Sequence, residues 1–550
     1  MNETTAHIRR ATEKLRSAEA LSALVSLKDS TFARNLKGTR DLAWEAYGLY
    51  WEHDWTADGP VSKRDRANWQ TKLHHRIVGY VDTLFSRASL AMGQQLKMDQ
   101  SSTAAPRFYV FNPLNWSRND VADFEYRAEG PVRVIDLQTK REVVSQRIQK
   151  GGKPFIRIWA ENIPSVGYKV YEIQKGTPAN QPDAAQVNGE VIQNEYYRVR
   201  LKKSGVISEL YDRKAKRRQL VKLQNGRLFN DIGTKDPDTG NALVVENKGP
   251  VSVTLKAVSN DPIAHKVRVT LFRNSRIGGP GGSPRIDIED SLQANFDDVK
   301  TWAFSLNLTN PTTNHEELGA ILTAKKETRG GDYASQNARY DWQTFNHFAD
   351  IGEPNYGVTI SNQDCSFFKL GKSTSDSLWE TSAQFNALAG GQVDTYGSGK
   401  KDTLRLGIYN QNGVTKFRYH FALTIRTQAF DALAAMKFSL EDQNPLVVGA
   451  VTGTEATYPE TTFSLLKTDT PGLLIWTLKP SEEGINNGLI ARFWNVNKTA
   501  ATPTLNWGLP IRRAWQTTHI ETNEQALHPA NNNLKTNFNA RQINTYRLQF

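Results

Sequence analysis

The sequence predicts a mainly β protein led by an N-terminal three-helix bundle. Three observations carry this reading. Apolar residues recur every three or four positions through the first hundred residues, the period drops to two after Pro106, and Gly, Pro and Asn punctuate the short runs from there to the C-terminus. At 550 residues the chain is long enough for several domains, each with its own core. The 13 Trp, 18 Tyr and 23 Phe exclude a disordered or fibrous chain.

In the first helix Ile8, Ala11, Leu15, Ala18, Leu21 and Val25 form one apolar stripe. A second helix is expected from about Arg40 to Trp51. A third starts at Ser62, with Asp65 completing a capping pattern, and aligns Trp69, Leu73, Ile77, Val81, Leu84, Ala88, Met92 and Leu96. Interleaving these stripes gives a bundle over residues 1–100. The polar stretch Lys97–Pro106 closes it. Alternating runs at 108–111, 132–137, 155–159 and 166–173 then predict a small antiparallel β-domain over 106–175.

After the Gly-, Pro- and Asn-rich linker 174–189, strands are expected at 191–201, 206–211, 251–258, 267–272, 286–292, 302–308 and 318–324. They lack the fixed repeat of a propeller, so a large β-sandwich over 189–445 is predicted. Strands at 463–466, 473–478, 489–495, 512–515 and 543–550 make a terminal β-unit over 450–550. The Gly-rich tips 278–284 and 389–401 have neither a Walker lysine nor a following helix, which argues against a phosphate cradle.

The net charge of +12 raises the question of an anionic partner. Lys and Arg are spread along the chain, and the densest cluster (Arg213, Lys214, Lys216, Arg217, Arg218) sits between two strand-like runs, where a solvated hairpin turn explains it. Nucleic acid is therefore not expected as a partner. No run reaches the length of a membrane span and Met1–His7 has no apolar signal core, so no membrane partner is expected and the cytoplasm is the default compartment. Cys365 is the single cysteine, which excludes an intrachain disulfide and any multi-cysteine metal site.

Among the ten histidines no His-Glu-x-x-His pair occurs, and no Gly-x-Ser-x-Gly elbow is present. Adjacent His74 and His75 point about 100° apart on a helix, so one packed and one solvated ring are expected. The segment Tyr50-Trp51-Glu52-His53-Asp54-Trp55 places an imidazole and two carboxylates among three aromatics. Such a set suits a divalent metal or a sugar ring, and it equally suits a helix end where His53 meets loose carbonyls and Asp54 caps the turn. Carboxylate pairs of the kind glycosidases use have two candidates, Glu316–Glu317 and Asp287/Glu289/Asp290. Both are expected to be exposed strand residues.

Five segments, in order, resemble the carboxy-terminal two-thirds of a glycoside hydrolase family 38 α-mannosidase. They are Leu49-Tyr50-Trp51-Glu52-His53-Asp54-Trp55, Phe111-Asn112-Pro113-Leu114-Asn115-Trp116-Ser117-Arg118, Ile163-Pro164-Ser165-Val166-Gly167-Tyr168, the pair 194–199 and 205–212, and Phe417-Arg418-Tyr419-His420-Phe421-Ala422-Leu423. The resemblance implies that the large sandwich is galactose-mutarotase-like. It also maps a zinc ligand onto His53 and a substrate-contacting aspartate onto Asp54.

The family's nucleophile, acid/base and most of its zinc ligands lie on an amino-terminal β/α barrel with no counterpart in this sequence. No catalytic residue is therefore assigned. The implied activity is that of a retaining, zinc-dependent α-mannosidase whose barrel comes from another chain or a missing part of the gene, with an α-mannoside as substrate. The alternative is a non-catalytic carbohydrate-binding or scaffolding remnant. A polysaccharide lyase would need a Tyr/His constellation that the sequence does not display.

Overall fold

The computed structural model describes residues 3–52, 61–101, 105–214, 217–273, 284–391, 393–394, 405–406, 411 and 413–550. Helix α1 (Glu3–Ser26) buries all six residues of its predicted stripe. Helix α2 (Lys37–Tyr50) starts three residues earlier than expected, after a 3₁₀ turn at Arg34–Leu36. Helix α3 (Lys63–Gln94) is capped as the sequence predicts, the Ser62 hydroxyl accepting from the Asp65 N–H at 3.1 Å. The three pack on one another around Ile8, Leu15, Leu73, Ile77 and Val81. Among the described residues no helix is long and apolar enough to cross a membrane.

Beyond Val110 the described chain is β, with one α-helix, α4 (Ala432–Gln443). The strand Arg107–Asn112 pairs with Gly167–Lys175, which continues to Val132–Asp136 and Arg141–Val143. This sheet also takes in two strands from much later in the chain: Val447–Ala450 pairs with Arg107–Asn112, and Thr462–Ser464 pairs with Gly167–Lys175. A three-stranded sheet of Arg118–Glu125, Lys153–Ile163 and Ser145–Lys150 covers it over a core of Phe108, Val110, Ile156, Ile158 and Tyr171.

The large sandwich consists of two nine-stranded sheets. In one, Ser252–Ser259, His265–Phe272, Ile286–Leu292, Phe417–Arg426 and Tyr356–Asn362 lie side by side, each antiparallel to the next. In the other, Lys300–Ser305 pairs antiparallel with Gln384–Gly390. Phe304 from one sheet meets Phe421 from the other edge to face at 5.0 Å, so the inward residues of both form one core. The expected strand 191–201 is broken into Val191–Gln193 and Tyr197–Leu201. Between them the Asn194 Oδ1 accepts from the N–H groups of Tyr196 and Tyr197, an Asx turn.

The expected strand at 318–324 begins later, because Leu318 and Gly319 take φ of 46° and 82° and form the turn joining Thr312–Glu317 to Ala320–Thr323. The basic cluster is turn-like where described: Lys214 pairs with Glu195 and Arg218 grips Glu353 at 2.7 and 2.9 Å. Lys216 and most of both Gly-rich tips lie outside the described residues.

The terminal unit joins a five-stranded sheet, including Leu473–Pro480, Leu489–Asn495 and Ile543–Gln549, to a three-stranded one. Its core runs on without a break into α1 (Leu21, Leu24), α3 (Ala88, Met92) and Tyr109 of the small β-domain. The approach is close at Gly93, where an added Cβ would stand 2.0 Å from the Ala450 carbonyl oxygen. Backbone cannot swing aside as a side chain does. Gly93→Ala is therefore expected to cost about 1–3 kcal/mol or more, read as a lower urea midpoint with unchanged m. An unaltered midpoint would show that the helix end can shift freely.

Candidate functional site

The sequence motif begins at the end of α2. Tyr50 is buried, its hydroxyl 2.6 Å from the Thr5 hydroxyl of α1, and its ring meets Trp51 edge to face at 5.2 Å. Trp51 is 54 % exposed. One half-turn along α1 from Thr5, His7 Nδ1 lies 2.9 Å from His74 Nε2 on α3. Burial lowers the His74 pKa to about 4, so at neutral pH its ring is uncharged and one ring of the pair donates its N–H to the bare nitrogen of the other. His74 is half-buried, while His75 beside it is exposed. His53 and Asp54 lie outside the described residues.

Two of the carboxylates expected to be exposed, Glu316 and Asp290, are buried, and for them the expectation is corrected; Asp287, Glu289 and Glu317 are partly exposed, Glu289 beside Arg268. In Ile286–Leu292 the residues Ile286, Ile288, Asp290 and Leu292 share the inward face. Asp290 is held there by the Asn230 Nδ2 at 2.9 Å, and burial pushes its pKa far above the carboxylate range. Asp287 faces the other way, where the small β-domain and α4 cover it.

On that covered face Asp287, His420 of the strand Phe417–Arg426, and Asp442 near the end of α4 bring one donor atom each within 4.8 Å of one another. Among the described residues this is the group arranged to offer three donors to a metal ion. Its charges are already matched. His420 Nε2 is 2.8 Å from Asp442 Oδ1, the Ser361 hydroxyl donates to Asp442 Oδ2 at 2.7 Å, and Arg285 forms ion pairs with Asp287 (2.7 Å) and Asp120 (3.2 Å).

Burial opposes a charged His420, yet the Asp442 and Asp287 carboxylates hold its pKa up at about 9. A protonated imidazole and a guanidinium thus stand where a cation would be needed. The arrangement is an ion-pair network tying the large sandwich, α4 and the small β-domain together.

A second network ties in the bundle. His347 lies between Glu316, whose Oε2 is 2.7 Å from Nδ1, and Glu13 of α1, whose Oε1 is 3.3 Å from Nε2. Glu13 also accepts from Arg16 at 3.2 Å and from Asn444 at 2.7 Å. Burial disfavours charge here, but the flanking carboxylates raise the His347 pKa to about 9; the imidazolium in turn holds Glu316, and Arg16 together with the imidazolium holds Glu13, below the ordinary range.

Residues 473–546 match the family model described as the glycosyl hydrolases family 38 C-terminal beta sandwich domain. The whole chain also superimposes on two solved structures from Enterococcus faecalis. One is an α-mannosidase, at TM-score 0.72 and 13 % identity, with all of this chain covered and 67 % of that one. The other is a protein in glycosyl hydrolase family 38, with the same score and identity and 71 % of its chain covered. Among curated proteins none matches the sequence. The whole chain therefore shares the fold of about two-thirds of each of these two structures, in line with the sequence resemblance, and residues 473–546 carry the pattern of the family 38 C-terminal domain.

Proposed function

We propose that this chain is the carboxy-terminal part of a retaining, zinc-dependent α-mannosidase. The observation that carries the reading is the fold match over the full chain to a family 38 α-mannosidase, together with the family's C-terminal sandwich domain at 473–546. His53 is assigned as a zinc ligand and Asp54 as a substrate contact, at the end of α2 where Trp51 offers an exposed ring for a sugar. Bound zinc would grip the 2- and 3-hydroxyls of the sugar. The nucleophile and acid/base are assigned to a barrel, since the described carboxylates discussed above are bound in ion pairs or buried in the sandwich core. The domain division 1–100, 106–175, 189–445 and 450–550 belongs to the same proposal.

The 550-residue chain by itself is expected to release no aryl group from an aryl α-mannoside, with or without added zinc. With a matching barrel, activity is expected, and His53→Ala should abolish it while leaving the melting temperature unchanged. Asp54→Asn should weaken sugar binding and leave zinc content nearly intact. Turnover by the purified chain alone that a single internal Asp or Glu substitution removes would overturn the assignment.

A further inference from the structure

A pocket of about 190 Å³ lies where α1, the start of α2 and α3 meet the terminal unit at Lys479–Asn486. Its α1 wall is formed by Glu19, Ser22 and Ser26, spaced three and four residues apart and therefore on one face of the helix. Tyr80 of α3 stands across from them. These four side chains are 8 %, 2 %, 4 % and 6 % exposed, and none forms a side-chain hydrogen bond within the described residues. Their polar atoms open onto the pocket, where the hydroxyls of a ligand can meet them. Four on one small pocket need a common explanation.

We propose that this pocket binds a neutral monosaccharide. The volume has room for about six waters, close to one sugar ring with its hydroxyls. Leu36, Leu84, Pro480 and Ile485 supply apolar wall for the C–H faces of a ring. Charge decides against ionised ligands. Arg34, Lys37, Arg40 and Lys479 oppose a cation, while Glu482 and Glu483 oppose an anion. Lys479 is already committed to Glu482 and Glu521 at 2.5 Å each, and Arg40 to Glu482 at 3.0 Å. Hydroxyls that both donate and accept suit what is left: two serines, a phenol, and a Glu19 carboxyl whose pKa burial pushes up to about 7.

The site goes beyond the proposed activity and is separate from it. Helix α2 touches the pocket at its first turn and reaches Tyr50 about 20 Å away, so the segment carrying His53 and Asp54 starts at the opposite end.

The test is saturation-transfer NMR on the full chain with D-mannose, D-glucose and myo-inositol, and with glucuronate and glucosamine as charged controls. Transfer to at least one neutral ring at up to tens of millimolar is expected, with none to the charged pair. Tyr80→Phe and Glu19→Gln should weaken it about tenfold, and Ser22→Leu, which fills the pocket, should abolish it. Should Ser22→Leu fail to fold, Ile485→Trp at the pocket wall replaces it. Absence of transfer from every neutral ring, equal transfer to the charged pair, or full transfer in a folded, filled variant would overturn the proposal. None of these outcomes alters the α-mannoside assay, so the two readings fail separately.

Discussion

Replacement of Arg285 by methionine is expected to cost about 3–5 kcal/mol of folding stability, one of the two largest effects foreseen. The guanidinium is buried with Asp120 and pairs with the partly exposed Asp287, and removing it leaves the Asp120 carboxylate desolvated and without its close partner. Arg118 cannot take over, because it is 4.0 Å from Asp120 and spends its donors on the carbonyls of Glu441 and Asn444. Adding Asp120→Asn and Asp287→Asn to the methionine variant should recover much of the loss. Urea unfolding measures both. A loss below about 1 kcal/mol would show that water reaches the two carboxylates and that the network does not hold the domains together.

The second large effect is a pH dependence. His347 and His420 have pKa values raised from about 6.5 to about 9, so their stabilising charge is fully present below pH 6.5 and is lost as pH rises through 9. At 1.36 kcal/mol per unit, each contributes roughly 3 kcal/mol. Glu19 and Glu441 act in the same sense but at lower pH: burial raises both to about 7, so their ionisation erodes stability between about pH 4.5 and 7. The window from pH 7 to 10 therefore belongs to the histidines. His347→Gln should be about 3 kcal/mol less stable than the parent at pH 6, nearly equal to it at pH 10, and should show half the alkaline slope. A variant whose slope matches the parent's would mean that His347 is neutral in the folded protein.

The bundle was legible because each helix has one wet face, which prints a period of 3.6 on the sequence. Helix α4 was not, since Ala435, Met436, Phe438, Ser439, Leu440, Glu441 and Asp442 are buried on nearly all sides and leave no stripe. Its Asp431 cap, which accepts from Leu433 and Ala434, was the available signal. Asp290 could have been found as well, because it keeps step with Ile286, Ile288 and Leu292 in a strand of period two. Asp287 could not. Its surroundings come from domains that lie over the outer face of the sheet, and Glu13 and His347 are 334 positions apart. Local pattern carries no trace of such meetings. The family segments located the end of α2 correctly, while His53 and Asp54 lie outside the described residues.

The late strands Val447–Ala450 and Thr462–Ser464 impose an order on synthesis. The sheet begun at Arg107 stays open on one side until the ribosome has made almost three hundred further residues, some 15–60 s at ~5–20 residues per second. Through that interval Arg107–Asn112 waits with an unpaired edge, a surface that chaperones guard and stray strands can seize. A chain ended by a stop codon anywhere before Val447 would leave the nascent small domain unfinished, however complete the two nine-stranded sheets already were.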